Sequence, residues 1–385
     1  MNVALLAPRS GRYTGALERH VRELARGLAR RGAQVELLSQ ASEPGRPGVS
    51  ELDGVLERRF SAPRHEPRLP IAPELSEYLR RTAGSFDVVH AHCTHPLLAL
   101  AVARARPGRL VLSAQAPMVR LLRWPYGAAT RAAVYVATET ICMSRADATL
   151  LCRALPTAAN RVRVVPQGVN LGAIRGASPF PTASTLVLAV GRLVRHKRVD
   201  RAIAAMAALI PAFELVVIGD GPARRRLKAY AADLQVSSRV RFAGRVSDDD
   251  LHRWLRTARF LVTLSEQEAF GLQVLEGVAA GTPVVASDIP AHREVASHVR
   301  AGVTFVSAEG SPLEVADAIA NADTAPVLAA DVPLPSWDDV VDATLELYEG
   351  LIRRRLPTGA RWPRAWRPRA SDRNGQRELV IKVDR

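Results

Sequence analysis

The sequence has few cysteines and few aromatic residues, and it lacks a long hydrophobic run. Its 385 residues include Cys93, Cys142 and Cys152, whose wide spacing predicts neither a disulfide framework nor a zinc site. No run of about 18 apolar residues occurs, so no membrane-spanning helix is expected. The opening MNVALLAPRSG has no basic stretch before its apolar residues and no cleavage site, which predicts a strand and excludes a signal peptide. We therefore expect a reducing, cytoplasmic location.

Lysine is also scarce, because it occurs only at positions 197, 228 and 382 while arginine supplies the remaining positive charge. The net charge of +15 is uneven: residues 1–168 carry +11, residues 169–352 carry −4 and residues 353–385 carry +8. A GC-rich genome also produces a preference for arginine over lysine, so the arginine content alone does not indicate nucleic-acid binding. The acidic balance of 169–352 and the absence of interleaved aromatic and basic residues argue against a nucleic-acid-binding protein.

The first half of the chain alternates short apolar runs with helical patterns. Leu17–Arg31 has apolar residues at helical spacing and arginines on the other face. Continuous apolar runs are typical of strands buried on both faces of a parallel sheet. We predict five such strands, at Val3–Pro8, Gln34–Leu38, Asp87–His92, Arg109–Ser113 and Arg161–Pro166. This succession predicts a parallel α/β sheet.

A second α/β series follows a stretch rich in glycine, proline and small residues near 170–183. Its predicted strands are Leu186–Val190, Leu215–Ile218, Val240–Phe242, Phe260–Leu264 and Val284–Ala286, and its predicted helices are Asp200–Leu209, Ala223–Leu234, Asp248–Ala258 and Phe270–Ala279. We predict two Rossmann-like domains that face a cleft, covering 1–168 and 184–335, with a linker at 169–183. We predict a final helix over residues 336–352, with Ser336 as its N-cap. The basic segment 353–385 lacks apolar periodicity and predicts disorder.

Two carboxylates bracket a predicted helix start in the run EAFGLQVLE. Glu268 precedes the helix and Glu276 lies about two turns inside it. The amides of Phe270, Gly271 and Leu272 are expected at the helix start, where unpaired N–H groups favour phosphate or a polar sugar. A capped helix with solvent-facing glutamates is the alternative.

A basic loop follows the strand at Leu186–Val190 in the run VGRLVRHK. Arg192 and Lys197 lie within one loop, and a lone lysine in an arginine-rich chain indicates a compact charge for phosphate. An ordinary basic surface loop is the alternative. The sequence contains neither a Walker motif nor a G-x-G-x-x-G run after a strand.

Together these motifs resemble the retaining glycosyltransferases of family 4, such as glycogen synthase and phosphatidylinositol mannosyltransferase. The order of GALERHVRELARGLARRGAQV, DVVHAH, VVPQGVN, VGRLVRHKRVD, FELVVIGDGP, VRFAGRVSDDDL and EAFGLQVLEGVAAGTPVVASD also matches, over about residues 1–352. The resemblance implies the GT-B fold, in which 1–168 binds the acceptor, 184–335 binds the nucleotide-sugar donor and helix 336–352 crosses back to the N-terminal domain.

The resemblance also implies roles for individual residues. Arg192 and Lys197 are expected to neutralise the donor diphosphate, so that no metal or other cofactor is needed. Glu276 is expected to bind the donor ribose, and Glu268 is expected to lie at the sugar hydroxyls. The remaining donor contacts implied are Val246 at the base, Gly15 and Ala16 over the phosphates, and the amides of Phe270, Gly271 and Leu272.

Three positions depart from the family pattern. Gln115 stands where the family has a catalytic histidine, and glutamine forms hydrogen bonds but carries no proton. Ala16 replaces a second glycine and Gln167 replaces an asparagine. The presence of Gln115 in place of histidine is expected to affect the reaction rate, the geometry of acceptor binding, or whether the chain is active at all.

Histidines near the predicted cleft suggest a second interpretation. His90 and His92 are expected on one side of their strand, and together with Cys93 and His95 they raise metal binding as an alternative to a polar acceptor site or packing. In the basic tail, Trp362 and Trp366 are spaced for docking on a membrane or partner, with disorder as the alternative.

We therefore predict transfer of a sugar from a nucleotide diphosphate sugar to an acceptor hydroxyl on a lipid, a glycan or a small metabolite. The positive charge of residues 1–168 is compatible with an anionic acceptor and with peripheral contact at the inner membrane face. The alternatives are a non-catalytic protein that binds nucleotide sugars, which Gln115 motivates, and a nucleotide-sugar epimerase.

Overall fold

A computed structural model of the chain shows two α/β domains. It describes residues 1–7, 15–41, 47–61, 72–93, 96–105, 107–123, 126–181, 185–299, 302–322 and 334–354. The predicted tail from 355 onward, with Trp362 and Trp366, lies outside the described residues, as do His95 and the side chain of Cys93. In the described ranges, no helix is both long enough and apolar enough to cross a membrane.

The N-terminal domain is built on a sheet that has eight strands within the described residues. These are β1 (Asn2–Leu6), β2 (Gln34–Ala41), β3 (Gly48–Leu52), β4 (Val55–Ser61), β5 (Val88–Cys93), β6 (Leu110–Ala114), β7 (Glu139–Cys142) and β8 (Val162–Val164). The strand order is β3-β4-β2-β1-β5-β6-β7-β8, and only the β3–β4 pair is antiparallel. The central strand β1 is fully buried from Val3 to Leu6, as its continuous apolar run predicts.

Helices cover this sheet. They are α1 (Ala16–Arg30), α2 (Pro73–Thr82), α3 (Pro96–Arg104), α4 (Met118–Leu121), α5 (Gly127–Val136) and α6 (Arg145–Ala154). The apolar face of α1, formed by Val21, Leu24 and Leu28, packs into the same core as β1. Helix α6 begins where the Ser144 side chain accepts a hydrogen bond from the Asp147 amide.

The C-terminal domain is built on a second, wholly parallel sheet of six strands in the described ranges. These are β9 (Leu186–Val190), β10 (Glu214–Ile218), β11 (Val240–Gly244), β12 (Phe260–Thr263), β13 (Val284–Ser287) and β14 (Val303–Val306). Their order is β11-β10-β9-β12-β13-β14. The direction of strand addition therefore reverses between β9 and β12, as it does between β1 and β5 in the first sheet. Such reversals create crevices at the carboxyl ends of the strands.

Eight further helices in the described residues complete the C-terminal half of the chain. They are α7 (Leu171–Gly176), α8 (Val199–Ala208), α9 (Arg224–Asp233), α10 (Asp248–Thr257), α11 (Leu272–Ala280), α12 (Pro290–Ala296), α13 (Pro312–Asn321) and α14 (Trp337–Arg353).

The final helix α14 returns to the N-terminal domain, as predicted. Ser336 and Asp339 form a reciprocal capping box at its start. Arg31, which follows α1, forms ion pairs with Asp338 at 3.1 Å and Asp342 at 2.5 Å. Val341 packs so closely on α1 that a Cβ at Gly27 would lie 2.2 Å from a methyl carbon of that valine. Helix α14 therefore shares one hydrophobic core with β1, β2 and α1 of the N-terminal domain.

The structure contains local elements that the sequence patterns do not predict. The predicted linker at 169–183 contains helix α7, which the Asn170 side chain caps and which buries Ile174 in the core of the second domain. Helix α10 has Ser247 as its N-cap, whose side chain accepts a hydrogen bond from the Asp250 amide, and Asp248–Asp250 form its acidic first turn. The β3–β4 hairpin was missed because β4 alternates poorly: Arg58 lies inside it and pairs with Glu36 at 2.7 Å.

Candidate active site

The two motif loops leave adjacent strands of the second sheet. Strand β9 ends at Val190 and its neighbour β12 ends at Thr263, at the point where strand order reverses. Ligands of open parallel sheets bind outside the carboxyl ends of the strands at this point. The loop after β9 lies tightly against the loop after β10, since a Cβ at Gly219 would lie 1.9 Å from the carbonyl oxygen of Gly191. The fold therefore holds the basic motif against the sheet.

Lys197 and Glu268 meet at this edge. The Lys197 ammonium group donates a hydrogen bond to Glu268 Oε1, and Ser265 Oγ donates to the same oxygen at 2.6 Å. Each side chain of the ion pair is 15% exposed. Burial raises the pKa of Glu268, but the charge and hydrogen bond of Lys197 and the bond from Ser265 outweigh it, so the pKa lies below its ordinary value. Glu268 is therefore a held, ionised carboxylate.

Helix α11 begins directly after this pair. Gly271 is its N-cap and has a φ of +96°, which favours glycine. An added Cβ there would also lie 3.0 Å from His292 Cδ2. Phe270 and Leu272 are 7% and 9% exposed, so their side chains pack inward while the backbone forms the helix start. The first amides of a helix have no intrahelical partner and favour an anion.

Glu276 lies little more than one turn into α11, nearer its start than predicted. Its side chain is 4% exposed and pairs with Arg19 Nη2 of the N-terminal domain at 3.3 Å. Arg19 Nη1 lies 3.6 Å from Asp248 Oδ1 on α10. Burial raises the pKa of Glu276, and the charge of Arg19 counteracts this increase.

Arg192 and Val246 are two further predicted donor contacts in the second domain. Arg192 is exposed in the loop after β9, and none of the described residues forms an ion pair with it. Val246 is half-buried in the loop between β11 and α10, and it packs against the core of the second domain. The predicted diphosphate and base contacts of these two residues stay predictions.

The start of α1 approaches the cleft from the N-terminal domain. Gly15 is the N-cap of α1 and Ala16 is its first residue. A Cβ at Gly15 would lie 2.1 Å from Glu18 Oε2, so the buried Glu18 carboxylate leaves little room for a larger residue. The predicted contact of Gly15 and Ala16 with phosphates stays a prediction.

Gln115, the position that departs from the family pattern, follows strand β6. Its side-chain amide nitrogen lies 3.3 Å from His92 Nδ1 at the end of β5. His92 is fully buried, and its Nε2 has no hydrogen-bond partner among the described residues. The glutamine is thus anchored to a histidine of the neighbouring strand.

His90 and His92 do lie on one side of β5, with ring centroids 4.0 Å apart. His90 bonds to Ser113 Oγ at 2.7 Å and to the hydroxyl of Tyr348 on α14. Burial lowers the pKa of His90 to about 3 and that of His20, which packs on His92, to about 4. Within the described part of the chain, no three His, Cys, Asp or Glu residues are grouped to hold a metal ion. His20, His90 and His92 therefore form a packed cluster whose burial favours the neutral imidazoles.

Sequence reasoning missed the residues that connect the two domains. Arg19 was noted only as part of a basic helix, although it contacts Glu276. Glu294 of α12 accepts hydrogen bonds from the amides of Arg145 at 2.7 Å and Ala146 at 3.1 Å, so it caps α6 across the cleft. No local motif could have revealed contacts between residues 148 to 257 positions apart.

Comparison with known proteins identifies the family. Residues 17–173 match the model described as Glycosyltransferase Family 4, and residues 172–326 match the model described as Glycosyl transferases group 1. A D-inositol 3-phosphate glycosyltransferase from Catenulispora acidiphila is 30% identical, over 90% of this chain and 93% of that protein. The chain belongs to the family 4 glycosyltransferases. A homologue from Xylanimonas cellulosilytica with the same activity name is 29% identical over 89% of this chain and 93% of its own.

Solved structures place this family 4 glycosyltransferase in the predicted fold class. Sucrose-phosphate synthase from Thermosynechococcus elongatus matches with a TM-score of 0.74 at 21% identity, over 91% of this chain and 99% of that chain. Anabaena HepE, in complex with UDP and glucose, matches with a TM-score of 0.72 at 18% identity, over 91% of this chain and all of that one. These likenesses concern the fold, and they confirm the predicted GT-B architecture of the glycosyltransferase.

Proposed function

We propose that this glycosyltransferase moves a sugar from a nucleoside diphosphate sugar to an acceptor hydroxyl, with retention of the anomeric configuration and without a metal ion. The observation that carries the proposal is the grouping of Lys197, Glu268 and the start of α11 at the reversal point of the second sheet. A cation, a held carboxylate and free helix amides at one edge are suited to a sugar diphosphate.

The diphosphate binds between Arg192, Lys197 and the first amides of α11. Arg192 is exposed and unpaired among the described residues, so its charge is available to the leaving group. Two cations and a helix start stabilise the negative charge that develops as the bond between the donor sugar and the diphosphate breaks. This set of groups performs the task that a metal ion performs in other transferases.

Glu276 accepts hydrogen bonds from the donor ribose, and Glu268 accepts them from the hydroxyls of the donor sugar. Lys197 and Ser265 both hold Glu268 Oε1. Glu268 orients the donor sugar and does not attack it, because front-face attack by the acceptor requires no side-chain nucleophile. The acceptor oxygen approaches the anomeric carbon on the face that the diphosphate leaves. The new carbon–oxygen bond forms as the bond to the diphosphate breaks, and the acceptor proton passes to the departing diphosphate oxygen.

The acceptor binds on the side of the N-terminal domain near Gln115, and we propose that it carries a phosphate group. Several relatives are named D-inositol 3-phosphate glycosyltransferases. Arg120 of α4 is exposed and offers a positive charge to such an acceptor. Contact with an anionic membrane face is a further proposal that rests on the +11 charge of residues 1–168.

A ligand screen followed by a transfer assay tests this function. Thermal unfolding is measured with UDP-glucose, GDP-mannose and ADP-glucose, and at least one is expected to raise the midpoint. Release of the nucleoside diphosphate is then measured with D-inositol 3-phosphate, with unphosphorylated inositol and without acceptor. Faster release with the phosphorylated acceptor supports the proposal. Donor binding without hydrolysis or transfer, across a broad acceptor panel, would instead favour a non-catalytic binding protein.

A further inference from the structure

We propose that Arg19 of the N-terminal domain positions the ribose-binding carboxylate Glu276 of the C-terminal domain. Recognition of the donor then depends on contact between the two domains. This inference rests on the proposed function, and it assigns the cation that completes the donor site to the opposite side of the cleft.

The start of α1 brings Arg19 to the cleft. Gly15 caps the helix, and the Arg19 amide donates to the Gly15 carbonyl oxygen at 2.9 Å, which fixes the first turn. The Arg19 side chain is 23% exposed, so the surrounding protein confines most of it. Its guanidinium group contacts carboxylates of α10 and α11, which both belong to the other domain.

The two contacts use different nitrogens of the guanidinium group. Nη2 lies 3.3 Å from Glu276 Oε1, and Nη1 lies 3.6 Å from Asp248 Oδ1. Because the group is planar and rigid, two contacts fix its orientation in a way that a lysine ammonium group does not. Asp248 is 59% exposed, so it orients Arg19 from the solvent side, while Glu276 is the buried partner.

Glu276 needs this cation more than an exposed carboxylate does. It is 4% exposed, and Arg19 is its only ion-pair partner among the described residues. A buried carboxylate without a partner takes up a proton, and a protonated carboxyl accepts fewer hydrogen bonds. An ionised carboxylate has about four lone-pair positions, so Arg19 on Oε1 leaves room for ribose hydroxyls.

Three charged groups act on Glu276 from the elements packed around it. Burial raises its pKa most, Arg19 on α1 lowers it, Asp248 on α10 raises it, and Lys197 in the loop after β9 lowers it. His252 also lies on α10, where burial and the charge of Arg19 lower its pKa while the charges of Asp248 and Asp249 raise it. Loss of Arg19 therefore raises the pKa of Glu276 and moves donor binding to higher pH.

The test measures the dissociation constant of the nucleotide sugar that stabilises the wild-type chain, between pH 5.5 and 8.5. Arg19→Gln is expected to weaken binding about tenfold at pH 7, since removing one partner of a buried charge pair is costly. The fall in affinity at low pH is expected to begin at a higher pH in this variant. Arg19→Lys keeps the charge and should restore part of the affinity. Arg26→Gln, on the same helix but paired with Glu23 and Asp53, should bind as the wild type does.

A double variant shows whether Arg19 acts through Glu276. Arg19→Gln should cause no further loss in the Glu276→Gln background, because the carboxylate that it positions is already absent. One outcome would overturn the inference and leave the proposed function intact. In it, Glu276→Gln binds the donor more weakly, while Arg19→Gln keeps the wild-type dissociation constant and pH profile. Tighter binding by Arg19→Gln would overturn it as well, because Arg19 would then block the site. A wild-type chain that binds none of the three nucleotide sugars would overturn the proposed function itself.

Discussion

Replacement of Lys197 by methionine removes the cation that neutralises the buried carboxylate of Glu268. The ammonium group contacts Glu268 Oε1 in the folded chain, and both side chains are 15% exposed. Methionine keeps the approximate length of lysine without its charge, so only the 2.6 Å hydrogen bond from Ser265 stays. We expect the variant to lose stability as well as affinity for the nucleotide sugar.

The cost of protonating Glu268 limits the stability loss of this variant. A carboxyl with a pKa of about 4.3 in the unfolded chain requires about 1.36 kcal/mol per pH unit to stay protonated, or about 4 kcal/mol at pH 7. Leaving the buried carboxylate ionised without its partner costs about 3–5 kcal/mol. Because the two routes are of similar size, we expect a loss of about 3–4 kcal/mol at pH 7.

The pH dependence of this loss has a definite sign. In the wild-type chain the pKa of Glu268 is lowered, so the stabilisation is present above the pKa of the unfolded carboxyl and disappears as the pH falls through the folded value. In the variant, burial without the lysine raises that pKa. The difference in stability between the two chains is therefore largest near neutrality, and at pH 5 protonation costs only about 1 kcal/mol.

Urea unfolding measures the stability loss of Lys197→Met at pH 7 and at pH 5. The unfolding midpoint is followed by fluorescence. Lys228→Met removes an exposed lysine of α9 and serves as the matched control, with little change expected at either pH. A loss for Lys197→Met that is equal at pH 5 and pH 7 would refute the electrostatic reasoning. Such a result would indicate that lost packing, and not an unpaired carboxylate, causes the instability.

Three further predictions follow from the site and the domain contacts. Gly271→Ala should lower stability by about 1–2 kcal/mol in thermal unfolding, because the N-cap has a φ of +96°, whereas Gly176→Ala meets nothing within 4 Å and should be neutral. Gln115→Ala should lower the transfer rate with little effect on the donor dissociation constant, and an equal effect on both would contradict its placement on the acceptor side. Gly27→Ala should lower stability by about 1–3 kcal/mol, because its Cβ would lie 2.2 Å from a methyl carbon of α14, while Gly350→Ala has open space.

The parts of the fold that the sequence predicts are those in which local pattern and burial agree. Strand β1 is a continuous apolar run because helices cover both of its faces, and its observed bounds differ from the predicted Val3–Pro8 by one and two residues. Helix α14 is predicted from its N-cap Ser336 and its acidic first turn. Strand β4 gave no such signal, since Arg58 is stabilised inside the sheet by Glu36, a residue of another strand.

The candidate site also contains one part that the local sequence predicts and one part that it does not. The spacing of Glu268, Gly271 and Glu276 predicts one loop and one helix start, because residues close in sequence share local geometry. The partner of Glu276 could not be predicted, since Arg19 lies on the other domain and only the arrangement of the two sheets brings it near. No periodic pattern in the sequence predicts long-range ion pairs of this kind.

This family 4 glycosyltransferase is proposed to consume a nucleoside diphosphate sugar at the edge of the second sheet where Lys197, Glu268 and Glu276 lie. The most direct test is the rate of nucleoside diphosphate release with D-inositol 3-phosphate as acceptor and with the stabilising nucleotide sugar as donor. We predict acceptor-dependent release by the wild-type chain, and loss of that release in Lys197→Ala and Glu276→Gln together with weaker donor binding. Unchanged donor affinity in both variants would contradict the assignment of the site.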